Sequence, residues 1–192
     1  MKEIFEIRWH GRGGQGAKTA ALLFGDACIS TGKYIQAFPE YGPERMGAPV
    51  TSFNRISSNP IRIHYGIENP DVVVVLDFSL VEQINVCEGL DEKEGILLVN
   101  SPFPPEKIRE KISFKGKIYS VDASKIALET IGRDIPNTPM MGALIKVTKI
   151  LNLEELLKDT KKKLEVKFRN KPEVIEGNLK AIERAYYEVK GD

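Results

Sequence analysis

Residues 10–16 read His10-Gly11-Arg12-Gly13-Gly14-Gln15-Gly16. The glycines satisfy the pattern G-x-G-x-x-G. Such a loop lets main chain come close to a phosphate, and a helix that follows it offers unpaired N–H groups. Three readings are open. A dinucleotide site also wants an acid at the end of the second strand; Glu40 stands there, behind Pro39 and at long spacing. A P-loop wants Lys directly after the last glycine, but the chain has Ala17, with Lys18-Thr19 displaced by one position onto another face of the helix start. A tight strand-to-helix turn, approached by the backbone of another chain, needs only the glycines.

The remaining reactive side chains form no nucleophile–base–metal constellation. His10 reads as a strand-end histidine with its hydrogen bonds satisfied rather than a catalytic base. Cys28 falls on an apolar helix stripe and reads as core. Asp71 and Asp77 bracket a strand and read as caps or turn residues. Glu44 and Arg45 stand in a polar loop bounded by Gly and Pro, where Arg suits carboxylate or phosphate recognition and interface ion pairs. Cys28 and Cys87 are the only cysteines, and His10 and His64 the only histidines. Four thiolates hold an iron–sulfur cluster, and structural zinc takes four Cys or His ligands, so this chain is not expected to build either alone.

Composition narrows the class further. The chain has 192 residues, 42% hydrophobic and 29% charged, enough for one domain with a sizeable core. Lys plus Arg number 28 against 27 Asp plus Glu, a net charge of +1 that argues against nucleic-acid or anionic-membrane binding. The longest aliphatic run, residues 72–76, is far too short for a bilayer. No secretory signal is read at the N-terminus, so a cytoplasmic location is expected.

The elements that must position these residues follow from their patterns. A strand over 4–9 runs into the glycine loop, and a helix over 17–31 buries Ala20, Leu23, Phe24, Ala27 and Cys28. Residues 34–38 read as a second strand. Residues 50–56 and 61–65 read as a hairpin around Ser57-Ser58-Asn59-Pro60. Strands follow at 72–76, 96–100 and 118–121, aliphatic as expected for strands covered on both faces. Ser79 with Glu82 reads as a capping box, Asp122 as the cap of a helix over 123–131 ended by Gly132, and Asn152 with Glu155 as another cap. A helix over 139–151 presents Met141, Leu144, Ile145 and Thr148 on one face. A terminal helix presents Ile175, Leu179, Ile182, Tyr186 and Val189. Alternating strands and helices predict an α/β fold: a Rossmann-like, largely parallel sheet with helices on both faces and C-terminal helices packed on it. One domain is expected, with an α/β core over 1–135 and a helical part over 136–192.

Four segments together carry a resemblance. They are Gly11-Arg12-Gly13-Gly14-Gln15-Gly16; Tyr41-Gly42-Pro43-Glu44-Arg45-Met46-Gly47-Ala48-Pro49; Asn69-Pro70-Asp71-Val72-Val73-Val74-Val75-Leu76-Asp77; and Asn137-Thr138-Pro139-Met140-Met141-Gly142-Ala143. In this order the chain is similar to the gamma subunits of the 2-oxoacid:ferredoxin oxidoreductases, the pyruvate:ferredoxin enzymes most closely, over roughly residues 4 to 185. The second segment is the most specific. Ala48 stands where many members have a second glycine.

The resemblance implies a subunit of a complex that converts a 2-oxoacid and coenzyme A to acyl-CoA and carbon dioxide while reducing ferredoxin. It implies alpha, beta and delta partners in a heterotetramer or a dimer of it, with thiamine diphosphate, magnesium and [4Fe–4S] clusters on those other subunits. No catalytic residue and no metal ligand is expected here. The expected contacts to another subunit or to coenzyme A are Gly11, Arg12, Gly13, Gly14, Gln15, Gly16, Tyr41, Gly42, Pro43, Glu44, Arg45, Asn137 and Met141. The gamma subunit of a ketoisovalerate or 2-oxoglutarate enzyme is the near alternative, and a free-standing dinucleotide oxidoreductase the distant one.

Overall fold

In the computed structural model, residues 3–40 and 47–191 are described. Seven strands form one sheet. In chain order they are β1 (Ile4–Arg12), β2 (Tyr34–Pro39), β3 (Pro49–Ser57), β4 (Val72–Val75), β5 (Ile96–Asn100), β6 (Lys117–Val121) and β7 (Lys190–Gly191). Their spatial order is β2-β3-β1-β4-β5-β6-β7. β1, β4, β5 and β6 pair in parallel. β3 runs antiparallel to both β1 and β2, and β7 antiparallel to β6. The sheet is thus mixed, with a parallel centre and antiparallel edges.

The hairpin expected over 50–56 and 61–65 does not form. β3 instead inserts between β1 and β2, and residues 61–65 carry no strand. Their carbonyls serve a different purpose. The buried Arg55 on β3 donates to Tyr65 O and Gly66 O at 3.0 Å or less, and to Glu6 at 2.8 Å. Its guanidinium also lies 5.1 Å from the Tyr65 ring centre. An enclosed cation must have its donors answered, so this segment follows Arg55 rather than a ladder.

The helices are α1 (Ala17–Ile29), α2 (Pro105–Arg109), α3 (Ala123–Ile131), α4 (Asn137–Thr148), α5 (Leu153–Lys167) and α6 (Pro172–Glu188). They cover the sheet unequally. One face carries the larger core, in which Trp9, Val72 and Val74 meet apolar residues of α1, α3, α4, α5 and α6. The other face has Val73, Val75, Leu97 and Val99 under the short α2 and a 3-10 turn, Phe78–Glu82.

Asp122 caps α3 by accepting from Lys125 N, and Gly132 ends that helix at φ 77°. Asn152 and Glu155 form the reciprocal capping box of α5. Ser79 is not a cap: Asp77 caps the 3-10 turn and accepts from Ser79 N. α4 begins two residues earlier than expected and is buried all round from Asn137 to Ile145, so it has no solvent face there. The reason is α6, which crosses so close that a Cβ on Gly142 would lie 2.0 Å from Ile182 O. On α6, Ile175 and Ile182 are buried as expected, but Gly177, Asn178, Ala181 and Ala185 share the buried face. Small residues, rather than a broad aliphatic stripe, set that close approach.

Candidate functional site

β1 extends through Gly11 and Arg12, which pair with Val50 and Pro49. The loop proper is therefore Gly13 to Gly16. Gly14 (φ 98°) and Gly16 (φ 83°) occupy the left-handed region that a Cβ disfavours. A Cβ at Gly14 would meet nothing within 4 Å, so that residue faces open space, whereas one at Gly16 would lie 2.7 Å from Asn137 Nδ2. Gly16 is the N-cap of α1 and brings no side-chain acceptor to it. Among the described residues the helix start is thus left with unanswered N–H groups, and it carries a partial positive charge.

All four sequence segments converge on this loop. Gly13 N donates to Ala48 O at 2.9 Å, and Gly47 N donates to Gly13 O at 3.2 Å. Gln15 Nε2 donates to Asp77 at 2.7 Å, while Gln15 Oε1 accepts from Arg12 N at 2.8 Å. Asn137, at the start of α4, abuts Gly16. Tyr41, Gly42, Pro43, Glu44 and Arg45 lie outside the described residues. Their flanks are fixed: Glu40 N donates to Thr51 O at 2.9 Å, and Gly47 is held by Gly13.

The guanidinium of Arg12 is tied to neighbouring groups of the chain, while Arg12 also borders the open cavity at the loop. Its Nε donates to Asp77 at 3.1 Å, Nη2 to Ser79 at 2.7 Å and to Gln83 at 2.8 Å, and Nη1 to Gly47 O at 3.1 Å. Burial tends to raise the Asp77 carboxyl. Hydrogen bonds from Ser79 and Gln15 and the charge of Arg12 outweigh that and hold it below the ordinary carboxylate range. Met141, expected as a contact residue, is fully buried in the main core; it supports α4 from behind. Asp77 itself, expected only as a cap, is the anchor of the loop. Its place directly after a parallel strand was the available signal.

The arrangement departs from a dinucleotide fold. β3 separates β1 from β2, so Glu40 stands two strand spacings from β1, about 10 Å, instead of one. The crevice beyond the carboxyl ends of β1 and β4, where doubly wound sheets bind ligands, is filled by Arg12, Gln15 and Asp77. What stays open is a cavity of about 480 Å³ beside the loop, lined by Arg12, Gly13, Gly14, Lys18, Glu40 and Thr51 among others.

His10 and Arg8 line a second polar cavity, of about 600 Å³, beneath Glu40 and Thr51. Burial, with Arg8 beside it, pushes the His10 ring down to about 4. Contrary to expectation its ring is not satisfied, because Nε2 has no partner among the described residues. Neither thiol fits a cluster ligand. Burial raises Cys28 to about 12 and Cys87 to about 11, and the two sit in cores on opposite faces of the sheet. Among the described residues no group of three or more His, Cys, Asp or Glu is placed to hold a metal ion. No helix among them is long and apolar enough to cross a membrane.

Residues 6–188 match the model of the pyruvate ferredoxin/flavodoxin oxidoreductase family. The chain is 53% identical over 189 residues to the pyruvate synthase subunit PorC of Thermotoga maritima, covering 98% of this chain and 96% of that one. It is 52% identical over 161 residues to the common gamma subunit of the pyruvate/ketoisovalerate oxidoreductases of Pyrococcus abyssi, covering 82% and 86%. A crystal structure of the pyruvate oxidoreductase subunit PORC from Thermotoga maritima superposes with a TM-score of 0.86 at 50% identity, covering 100% of this chain and 99% of that one. With its glycine loop, mixed sheet and packed C-terminal helices, the chain belongs to the pyruvate ferredoxin/flavodoxin oxidoreductase family, as a subunit of the gamma type.

Proposed function

We propose that this chain is the gamma subunit of a cytoplasmic pyruvate:ferredoxin oxidoreductase. That enzyme converts pyruvate and coenzyme A to acetyl-CoA and carbon dioxide and passes the electrons to ferredoxin. Alpha, beta and delta subunits are its partners, and thiamine diphosphate, magnesium and [4Fe–4S] clusters belong to them. The two thiols here do not fit a shared cluster, since they lie in cores on opposite faces of the sheet. No step of the chemistry is therefore routed through this chain, which we read as one domain.

Its own task is assembly. The observation that carries this reading is the open, uncapped start of α1 beside Gly14, rigidly backed by Arg12 and Asp77. Free N–H groups held on a stiff loop donate to a carboxylate or carbonyl of a neighbouring chain. The same cavity holds Lys18, which favours a second reading, contact with the phosphates of coenzyme A. The Pyrococcus relative, named for two oxoacid enzymes, supports placing the choice of oxoacid outside this subunit.

Co-expression of Gly14→Val and Arg45→Ala variants with the partner subunits tests both. On the assembly reading, both variants are lost from the purified complex while remaining folded alone. If both assemble and only the KM for coenzyme A rises, the coenzyme reading replaces it. Normal assembly with normal kinetics refutes both.

A further inference from the structure

We infer that the groove where α1, α4, α5 and α6 meet binds a small phosphorylated molecule with an apolar body, of nucleotide size. The groove has a volume of about 430 Å³, within the range of small-ligand pockets. Its floor is apolar, formed by Leu23, Leu164, Phe168 and Val174. Its rim carries Arg133, Lys163, Lys167 and Lys171 against a single carboxylate, Glu173. Lys163 is paired with Asp26 at 3.1 Å, which leaves Arg133, Lys167 and Lys171 in excess. Several cations call for more than one negative charge, which favours a phosphate ester over a lone carboxylate.

The helix ends agree with that sign. α4 and α6 begin at the groove and turn their positive ends to it. α3 and α5 end there, but Arg133 follows the first and Lys167 closes the second, so cations cover both negative ends.

Asn137 supplies direction. It is only 7% exposed, and its Oδ1 accepts from Thr138 N at 2.8 Å. Only an oxygen can accept there, so the amide orientation is fixed and Nδ2 is the free end. Among the described residues that nitrogen has no acceptor, and Asn137 lines the groove. That nitrogen lies beside Gly16 and is reachable from solvent, so it can donate to a phosphate oxygen entering the groove. An acidic segment of a partner chain fits less well, because a compact pocket with an apolar floor encloses a small solute rather than an extended strand.

This site is separate from the glycine-loop cavity, although Thr19 borders both. The test is calorimetric titration of the full chain with ADP at low salt and without divalent metal. The expected result is saturable binding with a Kd below about 1 mM. It should weaken about tenfold or more in Lys167→Glu/Lys171→Glu and in Asn137→Asp. Asn137→Asp keeps the oxygen that accepts from Thr138 and replaces the donor with an anionic oxygen; circular dichroism checks its fold. Absence of ADP binding up to about 10 mM overturns the proposal. So does binding that survives these variants and is lost in Lys18→Glu, which places the phosphate at the glycine loop. Inorganic phosphate binding as tightly as ADP removes the apolar body, and polyglutamate binding in place of ADP makes the groove a protein surface; either result also overturns it.

Discussion

Replacing Arg12 by Met separates a structural latch from a ligand-binding residue. The guanidinium is 22% exposed and its partner Asp77 20% exposed, so the pair is mostly shielded from water. Met keeps much of the aliphatic stem and removes the bonds to Asp77 at 3.1 Å, Ser79 at 2.7 Å, Gln83 at 2.8 Å and Gly47 O at 3.1 Å. The bonds to Gln83 and Gly47 are exposed and contribute little. Those to Asp77 and Ser79 are charge-assisted and partly buried, about 1 kcal/mol each, so the loss is about 2 kcal/mol. Asp77 is not orphaned, because Ser79 and Gln15 still donate to it, which keeps the cost from rising further. In urea at neutral pH, with a slope of about 2 kcal/mol/M, the midpoint falls by about 1 M. Arg12→Lys keeps the charge but not the fork and falls between the two. A double-mutant cycle with Asp77→Asn should give a coupling of about 1 kcal/mol. If Arg12→Met unfolds at the wild-type midpoint, the latch is not holding the loop.

Three further outcomes follow from His10, Asp77 and Gly142. Because the His10 ring sits at about 4 in the fold against about 6.5 in an open chain, the unfolded state takes a proton that the native state refuses; stability is intact above about pH 6.5 and declines as pH falls towards 4, by about 3 kcal/mol. His10→Gln should flatten that limb in denaturant titrations run across the window, and an unchanged slope refutes the assignment. Asp77, whose carboxyl is depressed, acts lower, losing its stabilisation only as pH falls through its native value. Gly142→Ala puts a Cβ 2.0 Å from Ile182 O and forces α4 and α6 apart, at about 3 kcal/mol. Thermal unfolding should fall by about 10 °C; a shift under about 2 °C would mean that the helices are free to move.

The legible parts of the fold were those decided locally. The valine run of β4, the Asp122 cap, the Asn152–Glu155 box and the glycine turn each depend on a few neighbouring residues. The unread parts depend on distant partners. Residues 61–65 alternate like a strand, but the buried Arg55 claims nearby carbonyls, and β1 has already taken the pairing edge of β3. Met141 lies on the apolar face that its helical spacing marks, but the opposite face of α4 is buried as well, because α6 encloses the side that an amphipathic reading left to solvent. At the loop, glycine positions were readable because positive φ selects glycine. The fate of Arg12 was not, because Asp77 lies 65 residues away and only the parallel pairing of β1 with β4 brings them together.

That pairing also explains why a nucleotide-like glycine pattern need not serve a dinucleotide. In a doubly wound sheet the crevice between diverging strands is left to the ligand, and the second strand lies next to the first. Here the chain spends the crevice on its own Arg12, Gln15 and Asp77, and β3 pushes the second strand outward. The loop is then stiff from behind and borders an open cavity with Lys18, Glu40 and Thr51. Both ends of the segment 41–46 are tied to that same rim, one through Thr51 and the other through Gly13. A stiff glycine loop beside an uncapped helix start suits a partner that arrives already shaped. The glycines thus do the same physical work as in a nucleotide fold, bare backbone presented at a helix start, while the surrounding strands change what can reach it.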